Sequence, residues 1–217
     1  MPFIVFEGID GSGKTACSLL LTDRLRQQQI STAWTCEPSD RLIGSLIRNI
    51  LRDGKFDKVD RSNRTMALLF SVDRSDHLAQ FVEPALQRGK VVICDRYVLS
   101  TSVYQEYEYT VADWREPDIT FLLDVDIDKA IIRILERGAC LEVYETKERL
   151  QKARQKYIEL ALGLNALALY SDRRTKPIVV VDTTDKSISE VVEFCFSYLV
   201  QHKVVQGVAQ LTSNEGV

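Results

Sequence analysis

The chain has 217 residues, 45% hydrophobic and 27% charged, with a formal net charge of -3 and a pI near 5.5. That size and balance predict one soluble globular domain over residues 1–205 and exclude a broadly basic surface for nucleic acid. Five cysteines without C-x-x-C spacing exclude a disulfide framework or zinc site, and two distant histidines, His77 and His202, leave no histidine-based metal centre.

No apolar run approaches the roughly 20 residues needed to cross a bilayer. The N-terminus lacks a basic, then apolar, secretory pattern, so a cytoplasmic location is expected. From that end the chain enters an apolar run, "FIVFEG" (Phe3 to Gly8), which reads as a buried strand. A helical segment, Lys14 to Gln29, follows, then "STAWTC" (Ser31 to Cys36), a less apolar strand suited to a sheet edge. Arg41 to Arg52 is amphipathic, and Ser62 to Arg88 is a long helical stretch with an interruption expected near Pro84. "VVICD" (Val91 to Asp95) and "ITFLLDV" (Ile119 to Val125) read as buried strands. Helical patterns at Ile127 to Arg137 and Lys147 to Tyr170 precede a further buried strand, "IVVVD" (Ile178 to Asp182), and a last helix, Ile188 to His202. Residues 206–217 lack periodicity and read as a flexible tail. Strands alternating with helices predict an α/β fold, a doubly wound five-stranded parallel sheet flanked by helices.

Between the first strand and the first helix, Gly8, Gly13, Lys14 and Thr15 match G-x-x-x-x-G-K-[ST], the P-loop. Glycines let successive N–H groups turn inward onto phosphate oxygens, and the helix N-terminus adds positive potential. The expected nucleotide cradle is Gly8, Asp10, Gly11, Ser12, Gly13, Lys14, Thr15 and Ala16. Lys14 is placed for the β- and γ-phosphates and Thr15 for Mg²⁺. The phosphates are those of ATP or GTP. The chain has no N-K-x-D guanine-reading motif and suits a small kinase, which needs a second phosphate site and arginines to balance developing charge.

A second site is expected at "CDRYVLSTSVYQ" (Cys94 to Gln105), at the C-terminal end of a strand. Asp95 would sit by the P-loop metal with Thr15, and Arg96 would clamp an acceptor phosphate, although an Asp-Arg pair is also an ordinary strand-end salt bridge. Phe70 and Arg74 are four apart and share one helix face. Taken alone they are a core aromatic and a solvated charge; together they offer a flat and a polar surface to a base. Arg133 and Arg137, one turn apart, are either surface charges or a pair able to fold over a phosphate.

The stretches "FEGIDGSGKT", "EPSD", "IGSLIR", "LLFSVDR", "DRYVLSTSVYQ", "PDITFLLDV" and "ERGACLEVYE", in this order from about Pro2 to Val200, resemble the thymidylate kinases. The resemblance implies γ-phosphoryl transfer from ATP to dTMP with Mg²⁺, giving dTDP, in a protein that is commonly a homodimer. It implies that Asp10 contacts the acceptor sugar hydroxyl and that Glu37 belongs to the acceptor-side turn. Phe70 stacks on thymine, Arg74 reaches a base carbonyl, and Arg96 clamps the dTMP phosphate. Ser100, Tyr104 and Gln105 line the acceptor pocket, with Gln105 on the base edge and Tyr144 near the sugar. Arg133 and Arg137 belong to a short lid near residues 133–146. Lys14, Asp10, Arg96, Arg137 and Arg133 are thus the expected catalytic set. Other openings remain: a kinase for another deoxynucleoside monophosphate or a nucleoside, or a regulatory nucleotide-binding module without turnover.

The chain departs from the family pattern at four places. Cys36 stands where many members carry Arg, with Arg41 or Arg48 as substitutes for its charge. Gly11 stands where some carry a P-loop Arg. Val143 replaces a basic lid residue, and the connection from Gln105 to Pro117 is short.

Overall fold

The computed structural model describes residues 1–53, 63–105, 114–137, 146–170 and 176–205. Five strands, β1 (Phe3–Glu7), β2 (Thr32–Cys36), β3 (Val91–Asp95), β4 (Ile119–Asp124) and β5 (Ile178–Asp182), form one all-parallel sheet in the order β2-β3-β1-β4-β5. The apolar runs become strands because β-branched and aromatic residues suit a sheet covered on both faces.

Successive residues of β1 serve opposite layers. Ile4 and Phe6 join Leu21 and Leu25 of α1 (Lys14–Gln27) and Val192, Phe196 and Leu199 of α8 (Ile188–Gln201). Phe3 and Val5 face the other way, toward Val82, Ala85 and Leu86. Beside them α5 (Val98–Tyr104), α6 (Ile127–Glu136) and α7 (Lys147–Tyr170) bury Val103, Ile134 and Tyr157 in a further core against Leu122 of β4. The remaining helices, α2 (Leu42–Asp53), α3 (Asn63–His77) and α4 (Glu83–Gln87), precede β3.

Two strand-and-helix expectations need correction. "IVVVD" is not a buried strand: β5 is the second edge, where Val181 is buried but Val180 is 43% exposed. Its apolar sequence is indistinguishable from that of a central strand, and only its position at the end of the strand order exposes it. The long helix from residue 62 is interrupted earlier than Pro84, by a π-helical turn at Leu78–Val82. Pro84 then follows directly after that turn, in the first turn of α4.

This topology creates the crevice. The segment after β1 leads into α1 on one face, and the segment after β3 leads into α5 on the other. The carboxyl ends of β1 and β3 therefore diverge, the place where open α/β sheets hold ligands.

Candidate active site

The loop after β1 is shaped by backbone positions that reject side chains. Gly8 has φ +140°, and a Cβ there would lie 2.4 Å from the Leu123 carbonyl oxygen. Gly11 has φ +81°, and its Cβ would meet the Ala130 backbone of α6 at 2.4 Å. Both contacts are far inside van der Waals range, so glycine is required at each. The close approach to α6 also explains why this loop carries Gly11 and not an arginine. Thr183 Oγ1 donates to the Ser12 carbonyl (3.2 Å) and ties the loop to the end of β5.

Lys14 is buried, and its Nζ donates to the Ile9 carbonyl at 2.6 Å. Desolvation, reinforced by the Arg96 charge, lowers its pKa to about 8 despite the nearby carboxylates. The Thr15 hydroxyl donates to Asp95 Oδ2 at 2.5 Å. The other oxygen, Asp95 Oδ1, is buried with no hydrogen-bond partner among the described residues. A carboxylate oxygen without a donor beside a threonine hydroxyl is a hard-oxygen pair, the donor chemistry Mg²⁺ takes. These residues fit the ion.

At the end of β3, Arg96 adopts φ +70°, a left-handed conformation unusual for a bulky residue. It turns the guanidinium across the crevice, where Nη2 donates to Asp10 Oδ1, and Nη1 donates to Ser100 Oγ (3.2 Å) and the Gly8 carbonyl (3.4 Å). Burial works to raise the Asp10 pKa, but the Arg96 and Lys14 charges outweigh it and hold Asp10 below its ordinary value. The Arg96 guanidinium also lies over the Tyr104 ring, 5.4 Å from its centroid.

Beneath Arg96 lies a residue the sequence reading missed. Glu7 ends β1 fully buried and accepts from Tyr97 N (2.8 Å), Ser100 N (3.1 Å), Ser100 Oγ (2.7 Å) and Tyr157 Oη (3.0 Å). Burial raises its pKa, opposed by the Ser100 hydrogen bond and the Arg96 charge. The N-terminus of α5 has no side-chain cap of its own, so Glu7 supplies one across the sheet. A glutamate closing an otherwise apolar strand was the available signal. Ser100 therefore spends its hydroxyl on Glu7 and Arg96.

The base-reading candidates converge on one cleft of about 440 Å³, lined among others by Phe70, Arg74, Arg96, Tyr104 and Gln105. Arg74 is 2% exposed; its Nε donates to Glu37 Oε2 (2.8 Å) and its Nη2 to Thr101 Oγ1 (3.0 Å). Glu37 lies at the carboxyl end of β2, joined to Pro38 by a cis peptide bond. Cys36 and Arg48 line the same cleft, while Arg41 pairs with Asp76 elsewhere. Of the two cations considered as substitutes at position 36, Arg48 is the one at the cleft. Its Nη1 donates to the Pro38 carbonyl (2.6 Å).

A second cavity, about 860 Å³, opens over the P-loop and reaches Lys186 to Ile188. The two cavities share Asp10, Thr15 and Arg96 as a common wall. One holds the phosphate-binding loop and the other the cleft with Phe70 and Arg74, so two ligands placed in them adjoin at this wall. The sequence from residue 6 to 187 matches the family model described as thymidylate kinase. The chain belongs to the thymidylate kinase family. It is 38% identical over 205 residues to a probable thymidylate kinase of Methanocaldococcus jannaschii, an alignment covering 91% of this chain and 95% of that protein. A probable thymidylate kinase of Methanococcus aeolicus is 34% identical over 214 residues, covering 94% and 98%. One from Pyrococcus abyssi is 38% identical over 168 residues, covering 73% and 82%.

Within this thymidylate kinase fold the two lid candidates differ. Arg133 is tied down: its Nη2 donates to the carbonyls of Thr183 (2.8 Å) and Thr184 (3.0 Å), and its Nη1 reaches the Gly11 carbonyl (3.5 Å). Arg137 caps α6: its backbone N–H donates to the Ile134 carbonyl (3.3 Å), while its side chain is exposed and makes no hydrogen bond or ion pair among the described residues. Tyr144 and Val143 lie outside the described residues, as does most of the expected lid. No helix among the described residues is long and apolar enough to cross a membrane.

Proposed function

We propose that this enzyme transfers the γ-phosphoryl group of ATP to the 5′-phosphate of dTMP, yielding dTDP and ADP. The observation that carries the reading is the shared wall of the two cavities at Asp10, Thr15 and Arg96. ATP lies along the P-loop, with Lys14 on the β- and γ-phosphates. Thr15 and Asp95 would hold Mg²⁺, which when bound neutralises charge on the triphosphate. dTMP enters the other cleft, its base between Phe70 and the Arg74–Gln105 side and its phosphate at Arg96. A dTMP phosphate oxygen forms the new bond to the γ-phosphorus as the bond to the β,γ-bridging oxygen breaks and ADP leaves. The chain supplies positioning and electrostatics, without a covalent enzyme intermediate. Arg137, whose side chain is exposed at the C-cap of α6, is the better placed of the two lid arginines to reach the transferring group. Arg133 serves as an anchor for the P-loop. Asp10 meets the acceptor sugar once the nucleotide phosphate competes for Arg96.

The protein is a single domain over residues 1–205 with a lid near 133–146, works in the cytoplasm, and binds neither nucleic acid nor membrane. It acts as a homodimer. Leu68 and Val72, one turn apart on α3, are 47% and 52% exposed and supply an apolar face for a second copy. Mixing the protein with ATP, Mg²⁺ and dTMP and resolving the nucleotides by chromatography tests the reaction. dTDP and ADP should form in equal amounts, and Lys14→Ala should form neither. ADP without dTDP would overturn the assignment.

A further inference from the structure

We propose that His77 is a positioning residue for base recognition, acting through Glu37 on Arg74. The inference rests on the reading of Arg74 as the arginine that faces the acceptor base. His77, at the end of α3, is 1% exposed. Its Nδ1 lies 3.2 Å from Glu37 Oε1, and its Nε2 lies 2.6 Å from Thr35 Oγ1. Glu37 uses its other oxygen, Oε2, to accept from Arg74 Nε at 2.8 Å. The ring stacks on Phe81 at a centroid distance of 5.9 Å.

The chain Thr35–His77–Glu37–Arg74 thus runs from the edge strand β2 to the cleft wall. A carboxylate held at one oxygen swings about its terminal torsion, which is broad and soft. Anchoring Oε1 to His77 fixes the carboxylate plane, and the plane fixes the Arg74 guanidinium. The guanidinium also lies over the Tyr97 and Trp114 rings, 5.0 and 5.5 Å from their centroids. With Nε on Glu37 and Nη2 on Thr101, Nη1 has no acceptor among the described residues. That nitrogen is left for a ligand carbonyl. In neutral His77 the arrangement requires the proton on Nδ1, donated to Glu37, with Nε2 accepting from the Thr35 hydroxyl.

Two near-isosteric substitutions separate this role from simple packing. The asparagine amide nitrogen occupies the place of Nδ1 and the glutamine amide nitrogen that of Nε2. His77→Asn keeps the donor to Glu37, whereas His77→Gln keeps only the Thr35 contact. The expected result is a KM for dTMP raised about tenfold in His77→Gln, returned to within about threefold of wild type in His77→Asn, with KM for ATP changed less than about twofold in both. Equal dTMP KM values in the two variants, or a parallel rise in the ATP KM, would overturn the proposal. Arg74→Ala runs alongside. If it leaves the dTMP KM unchanged, the base-facing reading of Arg74 fails and the inference with it. If it raises that KM while His77→Gln does not, only the inference fails. Should the His77 variants not fold, long-range ¹H–¹⁵N correlation on the wild-type protein decides, since the chain has two histidines. A proton on His77 Nδ1 is expected; a neutral ring protonated only at Nε2 would overturn the proposal.

Discussion

Lys14 shows how one side chain is tuned by burial for a ligand that restores its charge. Its pKa of about 8 lies below the ordinary lysine value of 10.5, because desolvation outweighs the nearby carboxylates. Between those two pH values the unfolded chain binds more protons than the folded one, so the stability of the ligand-free protein rises with pH across that window. A triphosphate at Nζ reverses the shift. ATP binding just above pH 8 should therefore take up a proton, read by calorimetry as a binding enthalpy that tracks the ionisation enthalpy of the buffer. A buffer-independent enthalpy would mean that Lys14 is already fully charged. Glu7 is the second critical residue. Glu7→Ala takes the acceptor away from the Tyr97 and Ser100 N–H groups; leaving such buried donors unsatisfied should cost roughly 1–3 kcal/mol each in denaturant unfolding, and turnover should fall with the loss of Arg96 support. Unchanged stability would remove Glu7 as the cap of α5. Lys14, Thr15, Asp95 and Arg96 were legible in the sequence because their chemistry is local to two motifs. Glu7 and His77 were not. Their partners lie 90 to 150 residues away for Glu7 and about 40 away for His77, and no local pattern encodes such pairings.

Among the elements, α6 illustrates how a helix boundary sets a functional position. Asp126 caps it by accepting from Asp128 N (2.9 Å) and Lys129 N (3.2 Å), fixing where Arg133 and Arg137 emerge a few turns later. Asp126→Ala should lower stability by about 1 kcal/mol in denaturant unfolding. It should also lower kcat, because fraying would release the Arg133 anchor. A variant with full stability would show the cap to be redundant. Most helix limits were readable to within a residue or two from apolar periodicity. The π-helical turn at Leu78–Val82 was not, since an extra residue per turn leaves no composition signal. Nor was the edge position of β5, because strand order is a property of the whole sheet. The parallel α/β architecture was legible, since continuous apolar runs alternating with amphipathic segments have few other ways to bury their faces.

For the whole molecule, the apolar pair on α3 predicts assembly. Light scattering should give about twice the 24.7 kDa chain mass, and Leu68→Glu combined with Val72→Glu should return it to one chain. A wild-type monomer would dismiss that face as an interface. The account as a whole turns on two cavities that meet at Asp10, Thr15 and Arg96, one for the donor and one for a particular acceptor. The decisive measurement is a coupled ADP-release assay with ATP and Mg²⁺ against dTMP, dUMP, dCMP, dGMP, AMP and thymidine. The account predicts the highest kcat/KM for dTMP. Over dUMP the margin should be modest, because one methyl contact discriminates by only about 1–3 kcal/mol. A different preferred acceptor, or no turnover with any of them despite ATP binding, would contradict it.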